Sequence, residues 1–138
     1  FYNVNRNYYQ FSTSSYGMTV NGYSTFLLRN LMKNSEFKKT YLERLSYNLK
    51  NTWSKDSVTK KIDDVIKEIG EKEILRNLER WDFDEDFWRK NIKWLKEYAS
   101  KRNGYMVSQA KSFFGLSDSE VKKYFGGVKW NNINIDMN

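Results

Sequence analysis

Hydrophobic residues recur every three or four positions along most of the chain, which is the period of an amphipathic helix. Between residues 24 and 125 this period predicts about six to seven helices separated by short polar breaks. The clearest stripe runs from Phe37 through Tyr41 and Leu45 to Leu49. The pattern therefore predicts a mainly α fold, with a helical domain over residues 24–125.

Residues that accept hydrogen bonds from free backbone N–H groups predict where these helices begin. Ser24, Ser35 and Ser54 each precede an apolar stripe and are the expected N-caps of three helices. Asp84 is the expected N-cap of a later helix, with further acids in its first turn. The sequence Ser117-Asp118-Ser119-Glu120 has the capping-box pattern and predicts the start of the last helix.

Glycine-containing positions predict where helices end or bend. Gly70 is expected to end the third helix of this domain, and Gly115 closes a later one. Asn103-Gly104 predicts an interruption between two helices. Gly126-Gly127 predicts a hinge after the last helix.

The two ends of the chain lack the helical period. Residues 1–23 are rich in Asn, Tyr and Ser, and are expected to form an irregular segment or a short strand. Their many aromatic residues argue against disorder, because such side chains need a surface to pack on. Residues 126–138 are expected to form a hinge and a short strand, which gives a three-part organisation.

The composition excludes several kinds of chemistry. The 138 residues include no Cys and no His, so thiol nucleophiles, zinc–thiolate sites and a histidine base are ruled out within this sequence. No apolar run approaches the ~20 residues that span a bilayer. The net charge of +7 favours an anionic partner, but the lysines are spread along the chain, so a solvated surface is favoured and nucleic-acid binding ranks last.

Arg76 and Arg80 lie one helical turn apart, directly before Trp81. The two guanidinium groups could bind a phosphate or carboxylate. The favoured interpretation is a structural brace, in which the arginines pair with acids and Trp81 packs as an anchor in the core.

Acidic residues form two groups with competing interpretations. The first group could hold a divalent metal but is favoured as the acid-rich first turn of a helix: Asp82, Asp84, Glu85 and Asp86. The second could do acid–base work but is favoured as a solvated helix face: Asp63, Asp64 and Glu68. The sequence contains no glycine-rich phosphate loop and no recognised catalytic motif, so we assign no catalytic residue and no metal ligand.

The order of several segments resembles the CotH family, a group of atypical, secretory-type protein kinases named for a spore-coat protein. The segments are 20–31, 34–41, the Arg76/Arg80-Trp81 helix, 88–102 and 113–116. The resemblance is to the C-terminal half of the family and covers roughly residues 1–125.

The resemblance implies the helical part of a kinase-like C-lobe. The family's Asp-x-Asp motif, with its ATP and Mg²⁺ or Mn²⁺, would then lie before Phe1, so the chain is expected to be a fragment without the catalytic acids and without kinase activity of its own. Asn3 and Arg6 would lie near the nucleotide or substrate. Arg76, Arg80 and Trp81 would be scaffold residues.

The resemblance also implies a function for the longer parent protein, which would transfer phosphate from ATP to Ser or Thr of a spore-coat or surface protein. The expected partners are the missing N-terminal part of the same chain and a Ser-rich coat or surface protein, at the spore coat or cell surface. The alternative is a non-catalytic binding or scaffold domain of a surface or spore-coat protein, in which the aromatic N-terminal segment and the basic face dock a partner.

Overall fold

The computed structural model describes residues 3–13 and 25–129, without the side chain of Phe11. These residues form seven helices and contain no strand. The helices are α1 Tyr8–Thr13, α2 Phe26–Leu31, α3 Ser35–Lys50, α4 Lys55–Ile69, α5 Glu71–Arg80, α6 Glu85–Phe114 and α7 Asp118–Phe125. The prediction of a mainly α fold is confirmed.

The helix starts are largely those that local chemistry predicts. Ser54 and Asp84 cap α4 and α6, and Asp84 Oδ1 accepts a hydrogen bond from the backbone N–H of Phe87 at 2.5 Å. Ser117 and Glu120 form the predicted capping box. The prediction of Ser35 as an N-cap is wrong.

Asn34 caps α3 in place of Ser35. Its Oδ1 accepts from the backbone N–H groups of Glu36 and Phe37, both at 3.0 Å, so the helix begins one residue earlier than a Ser35 cap would allow. Thr25 occupies the N-cap position of α2, where Ser24 was expected. Ser24 itself lies outside the described residues.

The predicted interruption at Asn103-Gly104 is wrong, because α6 runs through both residues over its 30-residue length. The buried Asn103 amide nitrogen donates to the backbone oxygens of Leu49 and Trp53, at 3.1 Å and 3.0 Å. These carbonyls lie at and just beyond the end of α3, where no helical partner is available. Asn103 is therefore accommodated inside α6 because its side chain makes hydrogen bonds to another part of the fold.

The helix α6 ends at Gly115, as the sequence predicts. The φ angle of Gly115 is 61°, the left-handed conformation that closes helices and that glycine adopts without strain.

The core lies between α1, α3, the second half of α6 and α7. Its buried residues are Tyr9, Leu42, Leu45, Leu49, Val107, Ala110, Leu116, Phe125 and Val128. Helix α3 also supplies donors to its neighbours. Lys38 Nζ donates to Phe114 O at 2.9 Å, Lys50 Nζ donates to Tyr124 O at 3.0 Å, and Ser46 Oγ donates to the same Tyr124 oxygen.

Helices α4 and α5 form an outer layer on the first half of α6, and neither contains a fully buried residue. Ion pairs join this layer to α6. Lys96 Nζ lies 2.5 Å from Asp63, and Arg89 Nη2 lies 2.6 Å from Glu71. No described helix is both long and apolar enough to cross a membrane.

The segment 1–23 is not irregular throughout, because Tyr8–Thr13 forms α1. The missed helix is short and is held by distant contacts, which a local pattern does not reveal. The predictions for residues 1–2, 14–24 and 130–138, including the C-terminal strand, fall outside the described residues.

Candidate functional site

The segment Asn3–Asn7 is fastened to α6 by side chains that donate to its backbone carbonyls. Arg102 Nη1 donates to Val4 O at 2.7 Å and to Arg6 O at 3.0 Å. Gln109 Nε2 donates to Asn5 O at 2.6 Å. We call Arg102 and Gln109 the carbonyl clamp. Arg102 is only 9% exposed, so its two bonds to carbonyl oxygens replace most of the water that a free guanidinium would hold.

Helix α1 anchors the same segment in the core through Tyr9. The Tyr9 ring stacks on Phe113 with centroids 5.1 Å apart, and meets Phe114 and Tyr41 at 5.7 Å and 6.1 Å. Burial raises the pKa of Tyr9 well above its ordinary value, so the phenol stays protonated. The clamp and Tyr9 together hold residues 3–13 against α6.

An open groove of about 1010 Å³ lies between this segment and the first half of α6. We call it the α6 groove. Its apolar surface comes largely from aromatic side chains. The lining residues are Asn3, Val4, Arg6, Tyr8, Asn91, Trp94, Leu95, Glu97, Tyr98 and Lys101.

The α6 groove has a basic rim. The one carboxylate among its described lining residues, Glu97, is paired with Lys101, and the hydrogen bond from Lys101 lowers the pKa of Glu97. The guanidinium carbon of Arg6 lies 5.6 Å from the centre of the Tyr8 ring. A groove of aromatic walls and cations can bind a polypeptide or an organic anion.

The α6 groove does not offer the ligands that a divalent metal with ATP would need. Its single carboxylate is engaged with Lys101, and the described residues contain no group of three or more acids that could hold a metal ion. The first acidic group begins α6, with Asp84 as its cap and Glu85 paired to Arg89 at 2.8 Å.

Of the predicted site residues, Asn3 and Arg6 both line the α6 groove. The clamp fixes the backbone carbonyls of Val4, Asn5 and Arg6, next to and between the two side chains at the groove's edge. Their functional role stays a prediction.

Arg76, Arg80 and Trp81 lie away from the groove lining. Arg76 Nη2 pairs with Glu73 at 2.7 Å on the helix surface, and Arg80 lies 5.5 Å from the Trp81 ring centre. Trp81 is 60% exposed, so its predicted place as a core anchor is wrong. The reason is that α5 ends at Arg80, and the chain turns away at Asp82, whose φ is 54°.

The carbonyl clamp and the aromatic residues that line the groove, Tyr8, Trp94 and Tyr98, were not predicted from the sequence. A signal exists in hindsight: Trp94, Tyr98, Arg102 and Gln109 share one side of α6, apart from the aliphatic positions that face the core. A second stripe on a helix that already has an apolar face indicates another contact surface.

A protein-family comparison gives the class to which this helical chain belongs. The family model described as CotH kinase protein matches residues 2–106, well over half of the 138-residue chain. The chain therefore belongs to the CotH kinase family. The matched range contains the clamped segment, the whole α6 groove and Arg102. No curated protein and no solved structure matches the chain.

Proposed function

We propose that this chain is the C-terminal helical part of a CotH-type protein kinase. The longer parent protein transfers phosphate from ATP to Ser or Thr hydroxyls of a coat or surface protein, with Mg²⁺ or Mn²⁺. The single observation that carries the proposal is the family match over residues 2–106.

The described structure suits a supporting part of such an enzyme. Phosphoryl transfer relies on positioning and on stabilisation of charge, both of which need acids that hold metal ions. The described residues lack such a group, so residues that precede this chain in the parent would supply it. When bound, the metal and ATP would supply the phosphoryl donor and neutralise its charge.

The role of this chain's own residues is to place the segment that follows those acids. The carbonyl clamp and Tyr9 fix residues 3–13 on a rigid helix. Asn3 and Arg6 then stand at the edge of the α6 groove, as amide and guanidinium donors that can orient a phosphate or a substrate backbone.

The test compares this chain with the product of its gene extended upstream. Both are incubated with ATP and Mg²⁺ or Mn²⁺, and phosphate transfer to the protein itself and to a Ser-rich acceptor protein is measured. We expect no transfer by this chain and measurable transfer by the longer product. Changing both acids of the upstream Asp-x-Asp motif to Asn should abolish that transfer.

A longer product without an Asp-x-Asp motif, or one that transfers no phosphate under these conditions, contradicts the proposal. The alternative function, a non-catalytic binding or scaffold domain, would then stand. Transfer by this chain alone would contradict the assignment of the catalytic acids to upstream residues.

A further inference from the structure

The guanidinium group of Arg102 is a buried positive charge with no carboxylate beside it. Arg102 forms no ion pair with any acid in the part of the chain that the structure describes. We call residues 3–13 the docked segment. Apart from the sulfur of Met106, the acceptors and the ring that meet Arg102 belong to this segment: Val4 O, Arg6 O and the Tyr8 ring, whose centre lies 5.1 Å away. A cation that exchanges water for neutral groups loses hydration that no counter-ion restores.

Two uncharged groups at the same interface are buried without a hydrogen-bond partner. The amide nitrogen of Gln109 donates to Asn5 O, but its Oε1 is buried and accepts no hydrogen bond. The buried Tyr9 hydroxyl lies beside Tyr41, yet it forms no hydrogen bond of normal length and angle. Most buried polar groups in folded proteins are paired, so each of these atoms loses its water without compensation.

The three residues that fasten the docked segment to α6 are therefore the ones that carry the unmet groups. Arg102, Gln109 and Tyr9 all regain hydration when the segment leaves α6. The burial of the Tyr9 ring opposes release, because that side chain is 3% exposed and stacks on Phe113. Helix α2 also contacts α1 but contains no buried residue, so it adds no deep anchor. Docking is thus a balance between the packing of one ring and the hydration of three polar groups.

We infer that the docked segment is a reversible strap, which opens from α6 as one unit while the rest of the helical fold stays intact. The segment moves as a unit because Arg102 contacts both its extended part, at Val4 O, and its helix, at the Tyr8 ring. Local openings of this kind have free energies below that of global unfolding. The open state uncovers the aromatic surface on which Tyr9 packs and returns Arg102 to water.

The opening changes the α6 groove because the docked segment forms one of its edges. Asn3 and Arg6 line the groove only while the segment is docked. In the proposed function these two residues orient a phosphate or a substrate, so opening switches that site off; this consequence alone rests on the proposed function. The opening itself is a property of this chain and is measured without ATP and without upstream residues, so its failure and the failure of the proposed function are separate results.

The first test is amide hydrogen exchange of the 138-residue chain, measured residue by residue at several low urea concentrations. We expect the amides of α1 to exchange through an opening that is easier than that of α3 and that depends little on urea, because it exposes little surface. The core residues of α3 report global unfolding. Exchange of α1 with the same opening free energy and the same urea dependence as α3 overturns the inference.

The second test is Tyr9→Phe, which keeps the ring and deletes the buried hydroxyl. Protection of the α1 amides should rise at least about fivefold, by the same factor throughout α1, because an atom without a partner is removed from the docked state. Tyr41→Phe is the matched control: this tyrosine belongs to the same aromatic cluster, and its hydroxyl is not a buried atom without a partner. It should leave the protection of α1 unchanged. Lower protection in Tyr9→Phe, or equal gains in the two variants, contradicts the inference.

Discussion

The two halves of α6 differ sharply although they belong to one continuous helix. The buried residues of α6 all lie at or beyond its midpoint, from Ala99 to Ala110. That half contacts α1 and α7 and holds residues 3–7 through the carbonyl clamp. The first half is covered on one side by α4 and presents Phe87 and Leu95 to solvent. The difference teaches that neighbours, and not helix propensity, decide which half stabilises the fold and which half is available for binding.

The largest expected difference is in the free energy of unfolding, between a variant at a buried phenylalanine and one at an exposed phenylalanine. Phe125 of α7 is 1% exposed and packs in the core cluster with Val107 and Ala110. Phe125→Ala should lower the free energy of unfolding by about 3–5 kcal/mol, because it removes buried area and leaves a cavity. Phe87→Ala should change it by no more than about 0.5 kcal/mol. Urea unfolding of both variants measures the difference, and equal losses would contradict the contrast.

The second effect concerns the carbonyl clamp. Arg102→Met removes two charge-assisted hydrogen bonds to Val4 O and Arg6 O, which are worth about 1.5–3 kcal/mol. Hydrogen exchange should therefore speed up in residues 3–13 and stay unchanged in α3 and α7. Lys101→Met is the matched control, since the neighbouring Lys101 forms an ion pair with the exposed Glu97 and with no other acid among the described residues.

Arg102→Lys sharpens the same test. It keeps the positive charge but lacks the planar fork that reaches two carbonyls, so it should restore protection only in part. Unchanged exchange in residues 3–13 of Arg102→Met would show that Tyr9 and Gln109 suffice to hold the segment.

The third effect concerns the two asparagines of α6. Asn103→Ala leaves the backbone oxygens of Leu49 and Trp53 without their donor and should cost about 1–3 kcal/mol of unfolding free energy. Asn91, in the first half, also donates through its amide, to Phe87 O at 2.7 Å, but at an exposed position. The melting temperature of Asn103→Ala should lie well below that of Asn91→Ala. The reverse order of melting temperatures would contradict the role given to Asn103.

The smallest effect is a pH dependence that both halves share. Hydrogen bonds from Lys101 and Lys111 lower the pKa values of Glu97 and Asp118 below their ordinary values. Because the folded-state pKa values are the lower ones, this stabilisation is complete above about pH 5 and is lost as the pH falls through them. Lys101→Met and Lys111→Met should each flatten the fall of the melting temperature in acid slightly. A steeper fall would contradict the sign.

Much of the helical layout could be predicted because helix starts depend on adjacent residues. Asp84, Ser54 and the Ser117–Glu120 box act through bonds within three positions, and all were predicted. Residues 25–125 form six helices, within the predicted six to seven, but two details of the layout were wrong. Helix α1 was missed, and the break at Asn103-Gly104 divided α6 into two.

The candidate site could be predicted only in part, because its contacts join distant residues. Arg102 and Val4 are 98 positions apart, and no local pattern indicates that the one binds the other. Asn3 and Arg6 were singled out through the family resemblance and not through their own chemistry. Trp81 was misplaced because its spacing continues the helical stripe, while α5 ends one residue before it.

The distance in sequence between the carbonyl clamp and its target also matters during synthesis. At about 5–20 residues per second, the ribosome adds Arg102 roughly 5–20 s after Val4. Through that interval the segment Asn3–Asn7 has no helix to bind, and it must remain in water. Its sequence, Asn-Val-Asn-Arg-Asn, tolerates exposure to water during that interval, because four of its five side chains are polar. The segment Asn3–Asn7 is thus made well before the half of α6 that holds it.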